Sequence, residues 1–169
     1  RQAFPNLPVT QVDELQFEDT TVSSSQIRKL VSDGNVKGAA RLLGCPHRIR
    51  GTVVHGDARG RTMGFPTANL ETDADLTPPR GVYAVRARAE RGEWFYAVAN
   101  LGTRPTFDGQ GFLIEVHFLD FDGSLYGAEI EVDFIDRLRG EREFANSDDL
   151  IAQIRLDIEL ARQVLLCAQ

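Results

Sequence analysis

Thr67 and Asn69, one residue apart in the stretch Phe65-Pro66-Thr67-Ala68-Asn69, have the clearest chemical potential in this sequence. Pro66 pushes the residue before it into an extended conformation, and in an extended segment Thr67 and Asn69 project to one side while Ala68 faces the other. A hydroxyl and an amide carbonyl side by side form the kind of neutral oxygen pair that Mg2+ accepts while keeping waters and substrate phosphates as its remaining ligands. Just upstream runs a loop with glycines at Gly56, Gly60 and Gly64 and a guanidinium at Arg61. Glycine lets backbone N–H groups approach an anion closely, and an arginine fork adds to the cradle. No Gly-Lys-Ser/Thr follows, and the loop leads into extended chain rather than a helix, so neither a Walker A loop nor a dinucleotide fingerprint is present. Loop composition alone favours a plain glycine-rich hairpin connection, and Thr67 and Asn69 taken alone can equally satisfy a turn. A mobile loop directly before a stiff oxygen-bearing rung is what points to a metal–nucleotide complex.

Glu115 is the second feature. In the segment 111–121, Phe112, Ile114, Val116 and Phe118 fall on one face of a strand and Leu113, Glu115, His117 and Leu119 on the other, so a carboxylate stands in mid-strand among bulky neighbours. Such a group can take a proton from a substrate hydroxyl during phosphoryl transfer, where positioning matters more than basicity. By itself it reads as readily as a solvated outer-face acid or a cross-strand partner of an arginine. His47, His55 and His117 show no nucleophile or metal spacing and read as loop or surface residues, as do the loop acids Asp57, Asp73 and Asp75. Arg137, Arg139 and Arg142 read by default as a solvated face before the last helix.

These groups need a framework, and period-two alternation supplies it. After Pro46 the segments 47–56, 81–90, 93–102, 111–121 and 128–138 all alternate as strands, and Gly92 and Gly123 mark turns that predict hairpins between consecutive strands. Five or six short strands without intervening helices favour a small closed barrel, because closure removes exposed edges. Two short helices precede them: one starts at a cap within Ser23 to Ser25 and stops at Gly34, the other ends at Gly44. Residues 1–22 carry no clear period and read as strand remnant and linker. At the far end Leu150, Ile151, Ile154, Ile158, Ala161, Val164 and Leu165 recur at helical spacing behind a cap at Asn146 or Ser147, with Asp148 and Asp149 in the first turn, which predicts a long amphipathic helix packed on the barrel.

At 169 residues and 42% hydrophobic content the chain has room for one ordinary domain plus an appendage, with the boundary expected near Cys45 and Pro46. A net charge of −6 argues against a broad nucleic-acid surface, which needs positive potential. No apolar run is long enough to span a membrane and no leader pattern opens the chain, which is read as cytoplasmic. Cys45 and Cys167 lack any metal-ligand spacing and read as inert thiols.

Taken together, GTVVHGDARGRTMGFPTANL, GVYAV, NLGTRPTF, IEVHFLDF, LYGAEIEVDFIDRLRGEREF and SDDLIAQIRLDIELAR resemble, in order and spacing from about His47 to Arg162, the riboflavin kinase family, and in particular the C-terminal kinase module of a bacterial enzyme that also adenylylates FMN. The resemblance implies a mainly β fold, a six-stranded antiparallel Greek-key barrel over residues 47–169 with a C-terminal amphipathic helix, and a short helical remnant over residues 1–46. It implies phosphorylation of the riboflavin 5′-hydroxyl by ATP with Mg2+, giving FMN and ADP. Thr67 and Asn69 would contact metal and phosphates, Gly56, Gly60, Arg61 and Gly64 would form the flap over ATP, and Phe118, Asp120 and Tyr126 would line the nucleotide pocket. Glu115 would be the base, and Arg139, Arg142 and Phe144 would fold over the flavin. SSSQIR at 23–28 resembles the end of an upstream adenylyltransferase module, but no histidine precedes His47 to supply that module's His-x-x-His or His-x-Gly-His element, so this chain is expected to lack adenylyl transfer. The alternative is a noncatalytic barrel that binds a flavin or a partner protein, since small barrels host many functions.

Overall fold

Alternating strands short of partners close on themselves, and a computed structural model of the chain shows how. It describes residues 10–168 apart from 12, 19, 57, 58, 91, 107 and 108; most of the irregular opening and the loop acid Asp57 lie outside the described residues. In chain order the elements are β1 (Gln16–Phe17), β2 (Thr20–Thr21), α1 (Ser24–Ser32), α2 (Val36–Leu43), β3 (His47–Val54), α3 (Arg59–Thr62), β4 (Ala68–Glu71), β5 (Gly81–Ala89), β6 (Phe95–Thr106), β7 (Gly109–Phe118), β8 (Glu129–Arg139) and α4 (Ser147–Cys167). Strands β3-β4-β7-β6-β5-β8 form a closed barrel in that order, and every pairing is antiparallel. Strands β5, β6 and β7 follow one another as neighbours and β8 returns to lie beside β5, which is the Greek-key order.

One turn expectation is corrected. The segment around Gly123 does not fold β7 back onto β8 as a hairpin, because β7 already has β6 on one edge and β4 on the other. The chain instead crosses the barrel end, tied by Leu119 N–H to the Tyr96 carbonyl at 2.8 Å and by Gly127 N–H to the Val53 carbonyl at 2.9 Å. Strand β6 also runs past the expected end at Gly102 to Thr106. Its pairing with β5 stops at Leu101, while its pairing with β7 runs on through Pro105 to Thr106.

Inward positions fill the barrel: Ile49, Leu70, Tyr83, Leu101, Ile114, Val116, Ile130 and Phe134 are each at most 4% exposed. Fully burying such side chains contributes roughly 1.5–3 kcal/mol each. Helix α1 is capped by Ser23, whose hydroxyl accepts the Gln26 N–H, and α2 packs on the barrel with Val36 joining its core. Asn146 caps α4, its side chain accepting the Asp149 N–H at 2.9 Å, and Ala161 and Leu165 of that helix press on Ala84, Tyr96 and Val98 outside β5 and β6.

The outer face of β3, β5 and β8 is covered differently. Asp133, fully buried, takes Arg48 at 2.6 Å and Arg86 at 3.0 Å, while Glu131 takes Arg48, Arg50 and Arg88 at 3.1, 2.8 and 2.7 Å. The guanidinium groups of Arg48, Arg86 and Arg88 stack 5.1, 5.2 and 4.4 Å from the Trp94 ring centre. The hydrogen bond from Arg88, with the positive charge of Arg48 and Arg50 added, holds the Glu131 carboxyl below its usual range against the opposing effect of burial. A carboxyl depressed in the folded state contributes stability that is present above its unfolded pKa of about 4.3 and is lost as pH falls through the folded value. Glu131→Gln is therefore expected to lower the urea midpoint at pH 7, with the gap to the parent chain closing as the titration is carried below about pH 4.

Candidate functional site

Strand β4 is only four residues long, and its pairing decides what the oxygen rung faces. Ala68 pairs with Val116, Asn69 with Glu115 and Leu70 with Ile114, so Ala68 and Leu70 point into the core and Asn69 shares the outer face with Glu115. Asn100 of β6 lies opposite Glu115 on its other side and donates to its Oε2 at 3.3 Å. Thr67, just before β4, donates its hydroxyl to Oε1 at 3.5 Å. The structure thus brings together three residues, Thr67, Asn69 and Glu115, that lie up to 48 positions apart in the chain.

Two cavities meet at Thr67. The narrower, about 70 Å3, is bordered by Arg61, Thr67, Phe118, Phe121 and Tyr126 at the barrel end. The wider, about 410 Å3, is bordered by Gly60, Thr67, Glu115, Arg139, Arg142 and Phe144. A cleft of that size suits a small ligand, and Val82, Val98, Ile154 and Ile158 give it an apolar wall on which a flat ring can bury its face. Tyr126 stacks on His55 with ring centres 4.2 Å apart.

The cationic side of the wide cleft is tightly held. Arg139 donates from Nε and Nη2 to Asp157 of α4 at 2.8 to 3.0 Å, and from Nη1 to the Gly140 carbonyl at 3.0 Å. Gln153 donates to the same carboxylate at 2.9 Å and accepts from Arg142 at 3.2 Å. Both arginines stand over the Phe144 ring, at 5.8 and 5.5 Å from its centre. With its nitrogens so engaged, Arg139 offers a ligand its flat face rather than its hydrogen bonds.

Other expected site residues fall elsewhere. Asn69, 8% exposed, borders neither cavity: Gly56 lies over it so closely that a Cβ there would come within 2.1 Å of the amide nitrogen. Gly60 likewise has no room for a side chain against the Phe65 carbonyl, whereas Gly64 borders neither cavity and takes a left-handed φ of 86°. Asp120 borders neither cavity; its carboxylate is held by Arg162 of α4 at 2.7 and 2.8 Å, which keeps it below the ordinary aspartate range. Sequence reasoning passed over Asn100, Glu141, Gln153 and Asp157, all at the wide cleft or its supports, and took His117 for a surface residue. Asp157 had a signal: it stands three residues after Ile154 and four before Ala161, an acid within an apolar helical stripe.

The chain resembles proteins already known. The flavokinase family, described as riboflavin kinase, matches residues 43–165. A bifunctional riboflavin kinase/FMN adenylyltransferase of Haemophilus influenzae is 45% identical over 141 residues, covering 83% of this chain and 46% of that protein. The chain therefore spans less than half the length of that relative. Among solved structures, one described as a macrolide-efflux protein from Streptococcus pneumoniae is 41% identical with a TM-score of 0.83, covering 89% of this chain and 50% of that one. A riboflavin kinase from Trypanosoma brucei is 26% identical with a TM-score of 0.54, covering 72% and 78%. No helix among the described residues is long and apolar enough to cross a membrane.

Asp157 tests the geometry independently of these likenesses. Removing a buried carboxylate that satisfies an arginine strands the cation, so Asp157→Ala is expected to destabilise the chain by about 2–4 kcal/mol and Asp157→Asn by less, read from urea unfolding. With the barrel order, the cleft around Glu115 and the match over 43–165 in agreement, the chain belongs to the riboflavin kinase family.

Proposed function

We propose that this chain transfers the γ-phosphoryl group of ATP to the 5′-hydroxyl of riboflavin, giving FMN and ADP. The observation that carries the proposal is the placing of Thr67, which borders both cavities with its hydroxyl beside the Glu115 carboxylate. The nucleotide lies at the mouth of the narrow cavity, with Arg61 beside the phosphates and Phe118 and Tyr126 as walls; Gly56 covers Asn69, Gly60 borders the wide cleft, and Asp120 acts only through the loop it ties to α4. The wide cleft takes the flavin ring between its apolar wall and the Arg139, Arg142 and Phe144 segment. The two substrates then meet at Thr67.

In this arrangement Glu115 accepts the proton of the ribityl hydroxyl as that oxygen bonds to the γ-phosphorus and the bond to the bridging oxygen of ADP breaks. Asn100, hydrogen-bonded to the other carboxylate oxygen, fixes the direction in which Glu115 receives the proton. Thr67, which borders both cavities beside Glu115, would hold Mg2+ through its hydroxyl, whereas the Asn69 amide, covered by Gly56, could join it only with Gly56 displaced. When bound with the nucleotide, Mg2+ supplies neutralisation of the phosphate charge. Residues 1–46 fit the tail of an adenylyltransferase module and 47–169 the kinase barrel.

The test is FMN formation by the purified chain with riboflavin, ATP and Mg2+; no product over a range of metal concentration and pH ends the proposal. Chelating the metal is expected to abolish turnover. Glu115→Gln is expected to lower kcat by about 100-fold or more while leaving nucleotide affinity within about threefold. Equal losses in both would instead point to a binding role for Glu115.

A further inference from the structure

Thr67 must be held beside Glu115 by something other than their mutual contact. Their oxygens are 3.5 Å apart, at the outer limit of a hydrogen bond, where the interaction is weak. Nor does the sheet hold it, because the β4–β7 ladder ends at the Ala68–Val116 pair and the chain just before it contains Pro66, which has no N–H to donate. What is present instead is an imidazole. His117 Nδ1 lies 2.8 Å from the Pro66 carbonyl oxygen, and the Phe65 ring meets His117 edge-on with centres 5.9 Å apart. The Phe65 N–H in turn donates to the Gly60 carbonyl at 2.8 Å, closing the base of the glycine loop. His117 stands two residues from Glu115 on the same strand face and borders the same cleft.

We propose that His117 is a positioning residue for phosphoryl transfer: its Nδ1–H, donated to the Pro66 carbonyl, ties this segment to β7 beyond the last backbone pair, and so keeps Thr67 and the loop base in register with Glu115. The inference rests on the phosphotransfer reading above. A carbonyl oxygen only accepts, so Nδ1 carries the hydrogen and, in the neutral ring, Nε2 does not. The bond spans the boundary between the two cavities, so its loss lets the nucleotide side drift against the acceptor side. Misplacement on the order of 1 Å can cost about 100-fold in rate without a matching loss of binding.

Three variants of the full chain separate this from a packing role. His117→Phe keeps a ring against Phe65 and removes the donor, His117→Gln carries its amide at the wrong distance, and His117→Asn retains an N–H near the Nδ1 position. We expect kcat to fall by about 30–100-fold in the Phe and Gln variants, with the riboflavin KM and Mg-ADP affinity within about threefold, and to recover to within about fivefold of the parent in the Asn variant. Long-range 1H–15N spectra of the parent chain should show neutral His117 protonated at Nδ1. Turnover of His117→Phe within twofold of the parent, an Asn variant as slow as the Phe variant, or an Nε2–H tautomer would each overturn the proposal. If the parent chain forms no FMN, the phosphotransfer reading fails and this role with it, whereas a productive parent with unaffected variants removes the role alone.

Discussion

The short antiparallel pairing of β4 with β7 is the constraint on which the site depends. A single step of register would move Asn69 from the outer face to the core and put Ala68 opposite Glu115, because side chains alternate strictly along a strand. Leu70 and Ala68 on one side, Ile114 and Val116 on the other, make that slip costly by burying themselves in the barrel. The apolar residues of these strands therefore set the alignment of the polar ones. The outward Asn69 is positioned by packing on the opposite face of the same four residues.

From this pairing the rest of the architecture follows. Strand β7 must have β4 and β6 as its two neighbours, which forces β8 to close the barrel between β5 and β3. That crossing sends the chain over the barrel end and places Phe121 and Tyr126 on the rim of the narrow cavity. Leaving β8, the chain delivers Arg139 and Phe144 to the wide one, and α4 then anchors the segment through Asp157. Crossover and helix thus build walls on either side of one threonine.

Much of this was legible in the sequence. Alternation separated the two faces of β7 from Leu113 to Phe118, although Phe112 is exposed and Leu119, past the strand end, is buried, and Ser23, Gly44 and Asn146 lie at helix ends where local chemistry expected them. What was not legible is partner choice: the residues around Gly123 specify a turn, but a turn does not say which edge of the sheet is vacant. The tie of Asp120 to Arg162, 42 residues away, is equally invisible to spacing, since it exists only once α4 lies across the barrel. Asp157 and His117 were passed over for another reason. A stripe or an alternation tells which way a side chain faces, whereas their partners, Arg139 and the Pro66 carbonyl, depend on the angle at which distant segments arrive.

The coat of arginines over Trp94 has a further consequence. One flank of the barrel is sheathed by an apolar helix, the other by stacked guanidinium planes bridging two carboxylates, so the two flanks answer to different solvents. Dissolved ions screen the exposed Arg50–Glu131 pair of the second sheath more than its buried Asp133 contacts, and scarcely touch the oily contacts under the first. The Arg139–Asp157 pair at the wide cleft is more deeply covered than Arg50 of that sheath, so brine reaches the wall away from the clefts first.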